Sequence, residues 1–124
     1  MGLEFVRKYC GIDVVILSRE TNKVVATRAK KLKIPCTHGL NDKLGNFLEE
    51  IKSRNLKFDE VCFVGDDLND IGVINKSGLG IATGNAFDQV KKVADYVTQR
   101  KGGNGAVREV CELIMYAKEK HPYP

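Results

Sequence analysis

Val61-Cys62-Phe63-Val64-Gly65-Asp66-Asp67-Leu68-Asn69-Asp70 is a short apolar run that breaks into an acidic turn. The continuous apolar stretch predicts a strand buried on both faces, as in parallel sheets. Gly65 predicts a sharp turn. Three carboxylates in five residues at the mouth of a strand repel one another unless a cation neutralises them. Asp66 and Asp70 are four apart, so one helical turn would set them on one face. Carboxylate oxygens with positions left for water suit Mg²⁺. The competing explanation is N-capping of the next helix by Asp66 or Asp67. One cap needs one carboxylate, which leaves two unexplained. An EF-hand is excluded, because no Glu closes the loop.

Outward from this segment, apolar runs alternate with helical periodicity. Val14-Val15-Ile16-Leu17 predicts a second buried strand. A helix is expected over 19–33, with Val25, Ala29 and Leu32 on one side. Residues 34–38 are a weaker strand, because Pro35 cannot donate to a ladder. Residues 42–54 predict a helix with Leu44, Phe47, Leu48 and Ile51 on one face. A short helix over 68–75, a strand over 79–82, a short helix over 86–93 and a strand over 96–98 follow. Gly102-Gly103-Asn104-Gly105 opens a last helix with Val107, Val110, Cys111 and Ile114 as its apolar stripe. Strands separated by helices imply parallel pairing. The expected fold is α/β, a Rossmann-like sheet with helices on both faces, and functional groups should lie past the carboxyl ends of its strands. Residues 1–120 are expected to form one domain. The tail His121-Pro122-Tyr123-Pro124 is expected to be loose.

The 124 residues carry a net charge of +4 and a 43% hydrophobic share. That is enough chain for one core without staples. No apolar run approaches a membrane span, and the first residues lack the core of a secretory signal. Cys10, Cys36, Cys62 and Cys111 form no C-x-x-C pair. They suit buried thiols in a reducing cytoplasm rather than a zinc ribbon. Nine Lys/Arg stand against three Asp/Glu between Thr21 and Lys57, and five acids and no base between Asp59 and Asp70. The basic residues are scattered, with no aromatic residues among them to stack on bases, so nucleic acid is a poor partner.

Two further strand ends carry polar groups. Ser18-Arg19 ends the first strand, where a hydroxyl and a helix N-terminus can hold a phosphate; Ser18 as a plain cap fits equally well. Lys43 falls in a first helical turn, where the dipole disfavours a surface cation. Gly78-Leu79-Gly80-Ile81-Ala82-Thr83-Gly84 misses the dinucleotide fingerprint at Thr83 and reads as strand and turn.

Together these residues resemble the haloacid dehalogenase superfamily of Mg²⁺-dependent phosphatases. Ser18 matches the phosphate-holding second motif, Lys43 the third-motif lysine, and Gly65-Asp66-Asp67-Leu68-Asn69-Asp70 the metal-binding fourth motif. Ala94-Asp95-Tyr96-Val97-Thr98 and Gly102-Gly103-Asn104-Gly105-Ala106-Val107-Arg108-Glu109 are narrower. They resemble the subgroup of 3-deoxy-D-manno-octulosonate 8-phosphate phosphatases and the phosphatase-like domains attached to acylneuraminate cytidylyltransferases. The resemblance implies Mg²⁺ at Asp66, Asp70 and Asp67, Lys43 as a catalytic group, phosphate at Ser18 and Arg19, and a small phosphorylated sugar acid as substrate. It also implies an aspartate nucleophile with an acid/base aspartate two residues later.

That first motif, D-x-D-G, does not occur in these residues; before Ser18 there is Asp13 alone. The chain is therefore expected to begin inside the helix that follows motif one and to be inactive by itself. In the family the strand bearing that motif lies between those ending at Ser18 and Gly65, so two unpaired edges would favour a homo-oligomer. Three explanations stand open: a fragment, a piece supplied by another chain, or a reduced relative whose two strands pair directly. A non-catalytic oligomerisation or regulatory module is the alternative function. A phosphoacceptor receiver would need a second acidic cluster, which the sequence lacks.

Overall fold

The computed structural model describes residues 7–8, 10–17, 36–37, 42–102 and 105–117. Its described strands form two parallel sheets. In the smaller, β1 (Ile16–Leu17) pairs with β2 (Cys36–Thr37). In the larger, β3 (Cys62–Gly65), β4 (Leu79–Ala82) and β5 (Tyr96–Val97) lie in that order, with Phe63 opposite Gly80 and Ile81 opposite Tyr96. β1 and β3 belong to separate sheets and do not pair with each other among the described residues.

Helix α1 (Lys43–Ser53) begins where Asp42 accepts a hydrogen bond from the Gly45 amide at 3.0 Å, an N-cap that satisfies one orphan donor. It ends at Arg54, and Asn55 follows at φ 54°. A 3₁₀ turn (Phe58–Glu60), which periodicity does not reveal, leads into β3. A second 3₁₀ turn (Leu68–Asp70) runs into α2 (Ile71–Lys76), and α3 (Asp88–Val93) links β4 to β5. Helix α4 (Ala106–Ala117) closes the described chain.

Phe63 ties the core together. It packs with Leu17, Leu44 and Val61 against Phe47, Ile51 and Val73 of α1 and α2. It also packs against Ile74, Ala82, Ala86 and Val90. Cys111 and Met115 of α4 pack separately, with Cys10, Ile12 and Val14.

Several sequence expectations need correction. The first strand shortens to Ile16 and Leu17. Cys36–Thr37 pairs in spite of Pro35, because the ladder starts one residue after the proline that cannot donate. Leu48 is 38% exposed rather than part of the buried stripe of α1. The buried stripe of α4 is Ala106, Val110, Cys111 and Met115, and Val107 is 44% exposed. Val110 and Cys111 are buried as expected, and Ala106 and Met115 take the flanking places expected for Val107 and Ile114. Of the described cysteines, Cys111 is buried, Cys10 partly buried, and Cys62 exposed on β3, so the thiols are not uniformly buried. The expected helix over 19–33 and the tail 121–124 lie outside the described residues.

Candidate functional site

The acidic turn stands at the carboxyl end of β3 and does not form an α-turn. Asp67 is extended, at φ −107° and ψ 160°, and Asp66 and Asp67 precede the 3₁₀ turn. Asp70 folds back on the chain instead. Its Oδ2 accepts from the amides of Asp66 at 3.0 Å and Asp67 at 3.1 Å. Gly65 is required by that fold-back: a β-carbon there would meet the Asp70 side chain at 2.7 Å. The glycine thus also serves close approach of the Asp70 side chain.

Asp70 Oδ1 receives the Lys43 ammonium at 2.8 Å, with the two side chains 3% and 10% exposed. A lysine in the first turn of a helix, against the dipole, is held there by a buried carboxylate 27 residues away. The surface-lysine explanation of Lys43 therefore does not apply. Asp67 accepts from the Leu68 amide at 2.7 Å and caps the turn, so the capping explanation accounts for one carboxylate. Asp66 remains. Its side chain makes no hydrogen bond among the described residues, and its pKa is pushed up by burial, then by the charges of Asp70 and Asp67, with Lys43 opposing.

One acidic run thus divides into a cap, a buried clamp and a presented carboxylate. Among the described residues no three His, Cys, Asp or Glu side chains are grouped to hold a cation. What fits Mg²⁺ is a hard oxygen donor, Asp66, whose charge is disfavoured where it stands and would be relieved by a cation. A second feature fits a polar guest. Both side-chain polar atoms of Asn69 are buried without a partner among the described residues, a state that costs about 1–3 kcal/mol for each group left unmet. Sequence reasoning passed over Asn69; its signal was an amide placed beside the acids of the turn.

Two more loops complete the mouth. Asp66 O accepts from the Phe87 amide at 3.3 Å, which binds the start of α3 to the acidic turn. After β4, the Thr83 hydroxyl donates to Asn85 Oδ1 at 2.9 Å, and the Gly102 amide donates to the same oxygen at 2.7 Å. The structure therefore brings Lys43, Asp66, Asp67 and Asp70 together. Ser18 and Arg19 follow Leu17 in sequence and lie outside the described residues.

Residues 15–110 match the haloacid dehalogenase-like hydrolase family. The 3-deoxy-D-manno-octulosonate 8-phosphate phosphatase KdsC of Yersinia pestis is 40% identical over an alignment of 112 positions that covers 88% of this chain and 59% of that protein. The chain thus spans less than two thirds of that relative. A HAD superfamily (subfamily III A) hydrolase from Legionella pneumophila superposes with a TM-score of 0.92 at 41% identity, covering 96% of this chain and 65% of the other. The 3-deoxy-D-manno-octulosonate 8-phosphate phosphatase of Moraxella catarrhalis, solved with magnesium ion, phosphate ion and KDO, gives 0.89 at 38% identity over 94% and 67% of the two chains.

Proposed function

Since the chain belongs to the haloacid dehalogenase-like hydrolase family, we propose that it carries the charge-handling part of a Mg²⁺-dependent phosphatase centre. The substrate class is a small phosphorylated sugar acid of the 3-deoxy-D-manno-octulosonate 8-phosphate kind, after the relatives' activity. The observation that carries this reading is the division of labour around Asp70. Lys43 and two backbone amides saturate the buried carboxylate, and Asp66 is left to face a ligand.

In this reading Asp66 is the direct cation ligand. Asp70 sets the position of Lys43 and of the turn, and Asp67 holds the turn's entry. Bound Mg²⁺ would offset charge on the phosphoryl oxygens as a Lewis acid. Lys43, neutralised on one side by Asp70, keeps an ammonium face that adds to the same offset. Ser18 and Arg19 are assigned to the phosphate. The amide of Asn69, unmet among the described residues, would be satisfied by a polar group entering the mouth. Hydrolysis also needs an aspartate nucleophile, and the 124 residues hold no D-x-D-G sequence to provide it. The isolated chain is therefore expected to be inactive. Free thiols at Cys10, Cys62 and Cys111 suit a reducing cytoplasm. Among the described residues no helix is long and apolar enough to cross a membrane.

The test is an assay with Mg²⁺ on the sugar-acid phosphate and on an aryl phosphate. No turnover is expected from the chain by itself. Robust turnover that Asp66→Asn abolishes would sink the inactive part of the reading and keep the site.

A second reading, a non-catalytic oligomerisation module, is favoured by the exposed Val107 and Leu113 of α4. Light scattering separates it: an assembly indifferent to metal supports it, and a monomer counts against it.

A further inference from the structure

The turn after β5 borders the Asp66 carboxylate, and it is held in place by a residue of another element. Glu109, in the first turn of α4, accepts from the Gln99 amide at 3.0 Å, the Arg100 amide at 3.0 Å and the Tyr96 hydroxyl at 2.8 Å. From the other side, the Gly84 amide donates to Arg100 O at 3.1 Å and to Thr98 Oγ1 at 3.0 Å. The turn therefore has its backbone fixed on two flanks. At its end stands Gly102, bound to Asn85 Oδ1. A β-carbon on Gly102 would lie 3.5 Å from Asp66 Oδ2 and 3.3 Å from Asn85 Oδ1. The glycine backbone is thus a wall of the mouth, against the carboxylate that no donor among the described residues satisfies.

We infer that Glu109 is a positioning residue for this mouth: by holding the amides of Gln99 and Arg100 it keeps the Gly102 backbone against Asp66. The inference rests on the reading of Asp66 as cation ligand. Glu109 touches neither the cation nor the substrate, and acts through the turn. Its loss lets the turn drift, so that the wall beside Asp66 no longer has one position.

The experiment follows ¹⁵N amide signals of the full 124-residue chain during a MgCl₂ titration, with hydrogen exchange of the same amides. The variants are Glu109→Ala, Glu109→Gln and Gly102→Leu. In the wild type, the amides of Asp66 and Gly102 should shift saturably. Glu109→Ala should speed exchange at Gln99 and Arg100 and weaken Mg²⁺ by about tenfold, the low end for groups that orient a ligand from outside. Glu109→Gln keeps acceptor oxygen and should recover part of the affinity. Gly102→Leu should leave Gln99 and Arg100 protected and still weaken Mg²⁺, because its side chain lies over Asp66. Unchanged Mg²⁺ affinity in Glu109→Ala with the two amides released would overturn the inference and leave the metal site standing. Unchanged affinity in Gly102→Leu would overturn it too, and needs no folded Glu109 variant. A wild type with no saturable shifts would overturn both the inference and the cation reading beneath it.

Discussion

Asp70 is buried because everything it could ask of water is provided by the protein. Lys43 meets one oxygen and two amides meet the other. Removing Lys43 leaves that carboxylate without its counter-charge where it cannot hydrate. Lys43→Met should therefore lower unfolding free energy by about 3 kcal/mol, read from the urea midpoint at constant slope. Asp66 behaves in the opposite way. Its pKa is raised above 3.8, first by burial and then by Asp70 and Asp67, so its ionised form opposes folding. That cost is full above its folded pKa and vanishes below 3.8. Asp66→Asn should then melt higher than wild type at pH 7 without metal, and the gain should vanish near pH 3. A variant that melts lower at pH 7 would contradict the assignment of Asp66 as a presented carboxylate. The acidic turn was visible in the sequence, but the job of each carboxylate was not. Capping and clamping use the same residue types at the same spacing, and the partner that separates them, Lys43, is 27 residues from Asp70.

At the scale of elements, close approaches set the packing. Gly80 of β4 lies under α2, where a β-carbon would meet Ile74 Cγ2 and Ile74 O at 2.6 Å. Gly80→Ala must push α2 off the sheet, and a loss of about 2 kcal/mol is expected from overpacking, measured by thermal unfolding. Glu109 joins β5, its turn and α4. Desolvation raises its pKa, but the amides of Gln99 and Arg100, the Tyr96 hydroxyl and the Arg100 charge outweigh that and hold it below 4.5. Its contribution to stability is present above pH 4.5 and is lost as pH falls through the folded value. Glu109→Gln should flatten the acid limb of the stability profile; an unchanged limb would show that the clamp stores nothing. Elements of this kind were partly legible. The helix expected over 42–54 formed as Lys43–Ser53 with Asp42 as cap, and the strand expected over 79–82 formed as Leu79–Ala82. Periodicity failed where tertiary contacts decide, as at the two ends of the buried stripe of α4 and in the two-residue strands, whose pairing rests on neighbours rather than on their own pattern.

Across the molecule, the described strands divide into a pair and a triplet, with the site's carboxylates at the carboxyl end of β3 and Lys43 at the start of α1. Phe63 and Leu17 share a core, so the two sheets are parts of one packed body. The fold class was legible because alternating strands and helices leave few topologies. The split into two sheets was not expected from the residues: one sheet was, with the strand between those ending at Ser18 and Gly65 missing. The central proposal is that this body holds the cation and lysine groups of a phosphatase centre, whose D-x-D-G nucleophile motif is not among these 124 residues. The most direct measurement is phosphate release from 3-deoxy-D-manno-octulosonate 8-phosphate with Mg²⁺, by the chain alone and with a D-x-D-G-bearing strand segment supplied in trans. Turnover with the segment, none without it, and loss of that turnover in Lys43→Met and Asp66→Asn are expected. Turnover by the bare chain, or turnover with the segment that survives both substitutions, would contradict it.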